Sequence, residues 1–390
     1  MINRETVLIL GAGSSHEAGF PLGRQLINEI YELAMGETSG FFRRGQNDVI
    51  PYPKSNAELL WCLLDITGEK REDGASYSVD FIKEFANDLW DAKPPSIDDF
   101  LFNRREYSLI GKLCILFVLS RYEDTNRFKP FQLKEKYPSW GWYEYLWHKL
   151  VDGAEGNFDK LKQNKVKIIT FNYDRSLEHF LFTAIKATFG LHSKECEVAD
   201  FFNHIPVKHV YGELGVLSWK FNCLDEYRSQ LESTNNFIPL HMKTLFRIYG
   251  NGEFGANQLE WESGIAITGQ DARIKLAQHF LNRAKEIKTY QEVDKKDYSD
   301  IFKDVKRIYL LGCGYHEQNI KALGIENFLL KGEVHICGTA VGFSGHEMGN
   351  KQALLNSYTG KTSRFHREWQ NSSSHYKIES FLRTAEPFDG

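Results

Sequence analysis

In VLILGAGSSHEAGFPLGRQL, residues 7–26, Gly11 and Gly13 follow an apolar run and Gly19 precedes a helical pattern. A glycine turn between a strand and a helix suits phosphate binding. Glycines let the backbone approach the anion, and the helix end supplies N–H donors and a favourable dipole. The spacing is GxG and then five residues, not GxGxxG, and no Lys-Ser/Thr pair marks a P-loop. Taken alone, such a turn can also be just a tight strand–helix connection. A second polar group, TFNYDRSLE (170–178), also sits where an apolar run meets a helical one, the edge at which doubly wound sheets bind ligands.

The segment GAGSSHEAGFPLGR resembles the opening motif of the sirtuin family, GAG-x-S-x-x-x-G-I/F-P-x-x-R. Gly11, Ala12, Gly13, Ser15, Gly19, Phe20, Pro21 and Arg24 match it, and Leu22-Gly23 stand where Asp-Phe is usual. TFNYDRSLE resembles the family's Thr-Gln-Asn-x-Asp-x-Leu-Glu, with Asn172, Asp174, Leu177 and Glu178 as counterparts. In VKHVYGELG, Tyr211 occupies the slot of the family's catalytic histidine. His209 lies two residues earlier, where a strand would turn it to the same side. LLGCGYHEQN (310–319) is similar to the glycine-bearing strand end on the adenosine side, with Gly312, Gly314 and either Glu317 or Asn319 as contacts. The resemblance covers roughly residues 5–30, 165–215 and 305–342.

Sirtuin deacylases carry a four-cysteine zinc ribbon, and this chain has no CxxC pair. The resemblance therefore implies a zinc-free member that consumes NAD as its substrate. The expected activity is NAD hydrolysis to nicotinamide and ADP-ribose, of the kind found in bacterial anti-phage effectors. The implied partners are further copies of the chain in a homo-oligomer, a HerA-type ring ATPase, and an indirect nucleic-acid trigger. Loss of nicotinamide builds positive charge at the ribose. Backbone N–H groups near Gly11–Ser15 would hold the pyrophosphate, and Asn172 would bond the attacking water or the ribose hydroxyls. Asp174 would hold the ribose or order its loop, and His209 would take a proton. Three other readings stay open: an NAD or ADP-ribose sensor without turnover, an NAD-dependent protein deacylase, and Asn172 as a helix cap. His209 could equally be structural, with Tyr211 as the functional residue instead. No acidic metal-binding constellation supports a nuclease.

The elements that must position these groups are short apolar strands at 6–10, 166–171, 207–211, 307–311 and 333–337. Helical patterns follow several of them, a βαβ rhythm. The expected class is α/β, a Rossmann-like doubly wound parallel sheet with a large helical insertion. Residues 1–40 and 161–345 would form the NAD-binding domain, 41–160 the insertion and 346–390 a weakly patterned C-terminal extension. Residues 222–305 look like a second, more polar helical excursion. Within the insertion, Asp98 and Asp99 follow KPPSI and read as acids in the first turn of a helix capped by Ser96.

Hydrophobic residues make up 42% and aromatics 14%, enough for a substantial core in 390 residues. The net charge of −4 leaves nucleic-acid binding to a local basic patch at most. The start of the chain reads as a strand and not a signal peptide, and no apolar run could span a bilayer, so a cytoplasmic protein without membrane attachment is expected. The six cysteines are scattered and expected to be reduced, and the isolated His192 and Cys196 do not make a metal site.

Overall fold

β1 (Thr6–Leu10) is buried at every position, as a strand must be when helices cover both faces of its sheet. The computed structural model describes residues 1–36, 56–123, 140–215, 217–223, 270–290, 292–293, 298–325, 333–360, 362–366, 378–384 and 388. β2 (Val166–Thr170), β3 (Val207–His209), β4 (Arg307–Leu311), β5 (His335–Thr339) and β6 (Ser363–His366) join β1 in one parallel sheet. Their order is β3-β2-β1-β4-β5-β6. The chain builds outward from β1 in one direction and then restarts beside it, so the order reverses between β1 and β4. That reversal opens a crevice at the carboxyl ends of the strands. The expected Rossmann-like architecture is present.

α1 (Ala12–His16) and α2 (Gly23–Met35) follow β1. The insertion supplies α3 (Asn56–Ile66), α4 (Val79–Ala92), α5 (Ile97–Asn103), α6 (Ser108–Ser120) and α7 (Trp142–Val151). Its aromatic and leucine-rich pattern is core: α6 is buried from Ile110 to Ser120, and α4 and α6 pack on α2 in one apolar cluster continuous with the sheet. Residues 41–55 of the insertion lie outside the described residues. α8 (Phe158–Leu161), α9 (Ser176–Phe189), α10 (Glu195–Ala199), α11 (Phe201–His204) and α12 (Ser218–Cys223) belong to the first half of the sheet. α13 (Gln270–Glu286), α14 (Ser299–Phe302) and α15 (Glu317–Ala322) lead into and out of β4. The polar excursion is described only at its ends, α12 and α13–α14. Among the described residues no helix is long and apolar enough to cross a membrane.

Two features differ from expectation. The weakly patterned segment after 345 carries regular elements: Ser344 and Glu347 form a capping box for α16 (Gly345–Thr359), and β6 pairs with β5 in the sheet. SRFH has no apolar run because an edge strand needs only backbone pairing on one side. α17 (Ile378–Thr384) then docks on α7, where the Tyr145 hydroxyl donates to the Leu382 carbonyl at 3.1 Å. The polar stretch QNSSSH lies outside the described residues. Second, Cys196 and Cys223 form a disulfide between α10 and α12, whereas Cys62, Cys114, Cys313 and Cys337 are free. A pair 27 residues apart leaves no local signature; packing of the two helices brings it together.

Candidate functional site

The crevice between β1 and β4 is a cavity of about 450 Å³, within the roughly 300–1,000 Å³ typical of small-molecule sites. Gly11, Ala12, Gly13, Ser15, Phe20, Pro21 and Arg24 line it from the β1 side. Asn172, Asp174 and Tyr211 come from the β2 and β3 ends, and Gly312, Gly314 and Asn319 from the β4 side. Gly19 stands apart, on a shallower adjoining pocket with Phe20, Asn28 and Tyr122. His209 is not on the cavity wall. Glu317, the alternative to Asn319, faces away and bonds Lys321 and Tyr358.

The glycines bring two turns into contact. A Cβ on Gly11 would stand 2.6 Å from the Gly312 oxygen, and one on Gly13 would stand 2.8 Å from the Gly312 Cα. Gly312 itself has φ +64°, a left-handed conformation that favours glycine. This clamp engages the amides expected to cradle pyrophosphate. The N–H of Gly11 donates to Leu311 (3.0 Å), that of Gly13 to Gly312 (3.0 Å) and that of Ser14 to Gly11 (2.8 Å). Those three donors are therefore withdrawn from any phosphate. The cation on the wall is the exposed Arg24, whose guanidinium lies 5.7 Å from the Trp90 ring centre and has no acidic partner among the described residues.

The Asn172 Nδ2 group donates to the Gly11 oxygen (3.0 Å) and lies within bonding distance of Ser14 Oγ (3.1 Å) and Ser15 Oγ (2.9 Å). Because a carbonyl oxygen can only accept, this contact sets which way the amide faces. Its Oδ1 bonds to no described residue and is left for a ligand or water. Asn172 does not cap α9. The N-cap is Arg175, and Asp174 before it accepts on Oδ1 from the N–H of the first helical residue, Ser176, at 3.1 Å and from the Ser176 hydroxyl. Burial raises the Asp174 pKa, and its bonds within the chain make it a loop-ordering group. The insertion braces this region, with Trp142 Nε1 donating to the Ser14 oxygen at 2.8 Å and the Trp142 N–H to Glu17 at 3.0 Å.

His209 is buried beneath the site. One ring nitrogen meets the Asn172 carbonyl at 2.8 Å and the other the Glu178 carboxylate at 2.9 Å. Both partners accept, so the ring is satisfied only as an imidazolium donating twice. Burial opposes that charge, but Glu178 outweighs it and the His209 pKa is raised. A general base needs a free, neutral nitrogen at the cavity, and His209 offers neither. β3 ends at His209, and the turn beyond it carries Tyr211 onto the wall, where its hydroxyl donates to Asn319 Oδ1 at 2.5 Å. Glu178, His209 and Glu213 cluster like metal ligands, but the cation among them is Lys220, 3.1 Å from Glu178 and 2.9 Å from Glu213.

A pKa raised on folding contributes stability that is complete below the ordinary histidine range and lost as pH rises through the folded value. His209→Ala is therefore expected to cost about 3 kcal/mol near pH 6, the effect of breaking a buried ion pair. The deficit should narrow in alkaline solution. Melting curves of both proteins against pH check this, and a deficit that grows with pH would refute a charged His209.

Asp98 is among the wall residues that the sequence did not mark as part of the site. Ser96 Oγ accepts from the Asp99 N–H (3.1 Å) and donates to the Asp99 carboxylate (2.7 Å), which confirms the cap. Both acids line the cavity, but Asp98 takes no part in the cap and accepts from the Tyr173 hydroxyl at 2.7 Å. Burial, reinforced by the charge of Asp99, pushes its pKa up to about 6. The pair was visible in the sequence, but which member serves the cap and which meets Tyr173 depends on how α5 sits against the loop after β2. No family model, curated protein or solved structure matches the chain.

Proposed function

We propose that the protein is an NAD hydrolase that cleaves the nicotinamide–ribose bond. The observation that carries this reading is the unpartnered Oδ1 of Asn172, held in a cavity at the sheet's switch point by an amide whose other end is bonded to the glycine turn. The resemblance of both segments to sirtuin motifs supplies the substrate. In the reaction nicotinamide leaves with the electron pair of its bond to C1′, positive charge grows on the ribose, and a water oxygen attacks from the opposite face. Asn172 Oδ1 orients that water or a ribose hydroxyl. Arg24 meets the pyrophosphate, and Asn319 lies on the adenosine side. Preorganised polar groups of this kind act most strongly where water is excluded.

In this reading no zinc takes part, and the resemblance extends to a role as an NAD-depleting anti-phage effector. Unrestrained turnover would deplete the host, so activity is expected to be gated by assembly with further copies, with a HerA-type ring ATPase or through a nucleic-acid signal. One observation favours a second reading, an NAD or ADP-ribose sensor: Tyr211 stands where a catalytic histidine is expected, with its hydroxyl engaged by Asn319.

Incubation of the purified chain with NAD, with and without a ring ATPase and DNA, separates the readings. Release of nicotinamide and ADP-ribose in equal amounts is expected. Binding without products would favour the sensor, and strict dependence on an acylated peptide would favour a deacylase.

A further inference from the structure

We infer that Asp98, carried by the helical insertion, is the group that accepts the proton of the attacking water. The inference rests on the NAD-hydrolase reading above. Asp98 lines the cavity from α5, and its Oδ1 is held by the Tyr173 hydroxyl at 2.7 Å. Tyr173 is the residue after Asn172, so the carboxylate is tied to the loop that carries the open amide oxygen. No other described residue bonds the second carboxylate oxygen of Asp98, which leaves it to take a proton.

The other titratable groups of the wall are not tied to the Asn172 loop as Asp98 is: His16 sets its Nδ1 3.0 Å from the Phe20 carbonyl, and the Cys313 thiol donates to the Ile9 carbonyl at 3.4 Å. Both ring nitrogens of His209 are engaged away from the cavity. Asp174 is turned to Ser176, and Asp99 to Ser96. His316 lies on the β4 turn, two strands from the loop of Asn172, a separation of about 10 Å at normal strand spacing.

The step balances. The C1′–N bond breaks and its electron pair leaves with nicotinamide. The water oxygen forms the new bond to C1′, its proton passes to Asp98, and Asp98 later releases that proton to solvent. Before the attack, the same negative charge stabilises the cationic ribose. The charged and titratable groups that line the cavity with Asp98 are Asp99 on its own helix, Asp174, Tyr211 and Tyr290 from neighbouring segments, Arg24 and His16 after β1, and Cys313 and His316 after β4, with Tyr173 bonded to it directly. Only ionised Asp98 can accept a proton, so the rate should rise with pH through about 6.

The test uses the full chain under the conditions in which wild type cleaves NAD. Asp98→Asn preserves shape and an acceptor for Tyr173. It is expected to lower kcat about 10²-fold, the low end for general-base catalysis because bond breaking leads in an oxocarbenium-like reaction. NAD affinity should stay within threefold, and the acid limb should disappear from the pH–rate profile. Tyr173→Phe is a second variant that keeps the carboxylate; losing the hydroxyl donor should move the acid limb to higher pH. Near-normal turnover with an intact limb in Asp98→Asn would overturn the assignment, as would an unmoved limb in Tyr173→Phe if Asp98→Asn does not fold. Wild type that binds NAD without cleaving it would overturn the hydrolase reading and this assignment together. Wild type that cleaves NAD, alongside an equally active Asp98→Asn, would remove Asp98 alone.

Discussion

Asn172→Ala is expected to lower kcat for NAD cleavage by about 10² to 10³-fold, with NAD affinity nearly unchanged. The difference between the two effects follows from how the amide is used. Its Nδ2 end holds the Gly11–Ser15 turn, and its Oδ1 end is left to act on water or a ribose hydroxyl whose charge develops in the transition state. Losing Nδ2 should cost about 1–2 kcal/mol, since it removes hydrogen bonds to a turn that is also held by its backbone contacts with Gly312. α9 should be unaffected, because Asp174 and not Asn172 satisfies its first N–H. Steady-state kinetics beside a melting curve separate the terms. Turnover within a few-fold of wild type in a folded variant would remove Asn172 from the chemistry.

Gly312→Ala should be more damaging still, abolishing activity by destabilising the fold by more than about 4 kcal/mol. The left-handed φ alone costs roughly 1–2 kcal/mol for a residue with a Cβ. That Cβ would also stand 2.2 Å from the Ser14 nitrogen and 2.4 Å from the Gly13 carbon. Both are backbone atoms, so no side chain can rotate away, and the β1 and β4 turns must separate. Their separation breaks the Gly13-to-Gly312 hydrogen bond and opens the floor of the cavity. Gly349→Ala is the contrasting case. It lies within α16, a Cβ there meets nothing within 4 Å, and alanine should stabilise the helix by about 0.5–1 kcal/mol. Denaturant titrations of the two variants read the contrast directly, and a Gly312→Ala protein of near-normal stability would show that the turns do not need their close approach.

Local chain pattern by itself determined the strands at 6–10 and 307–311, the helices that follow them, and the parallel architecture. These follow from short apolar runs, turn residues and helical periodicity, all of which act over a few residues. Most of the cavity wall was legible for the same reason, since ligands gather at strand ends and both polar motifs stand at strand ends. What the sequence could not decide are matters of direction and long-range meeting. Period-two alternation put His209 and Tyr211 on one side, but the strand stops at His209, so the histidine is buried against Glu178 while the tyrosine reaches the cavity. The pairing of Cys196 with Cys223, the entry of β6 into the sheet and the contact of Asp98 with Tyr173 likewise depend on how distant helices pack. The clamp between the glycine turns belongs with them, because Gly13 and Gly312 are nearly three hundred residues apart along the chain and meet only when β4 lies down beside β1.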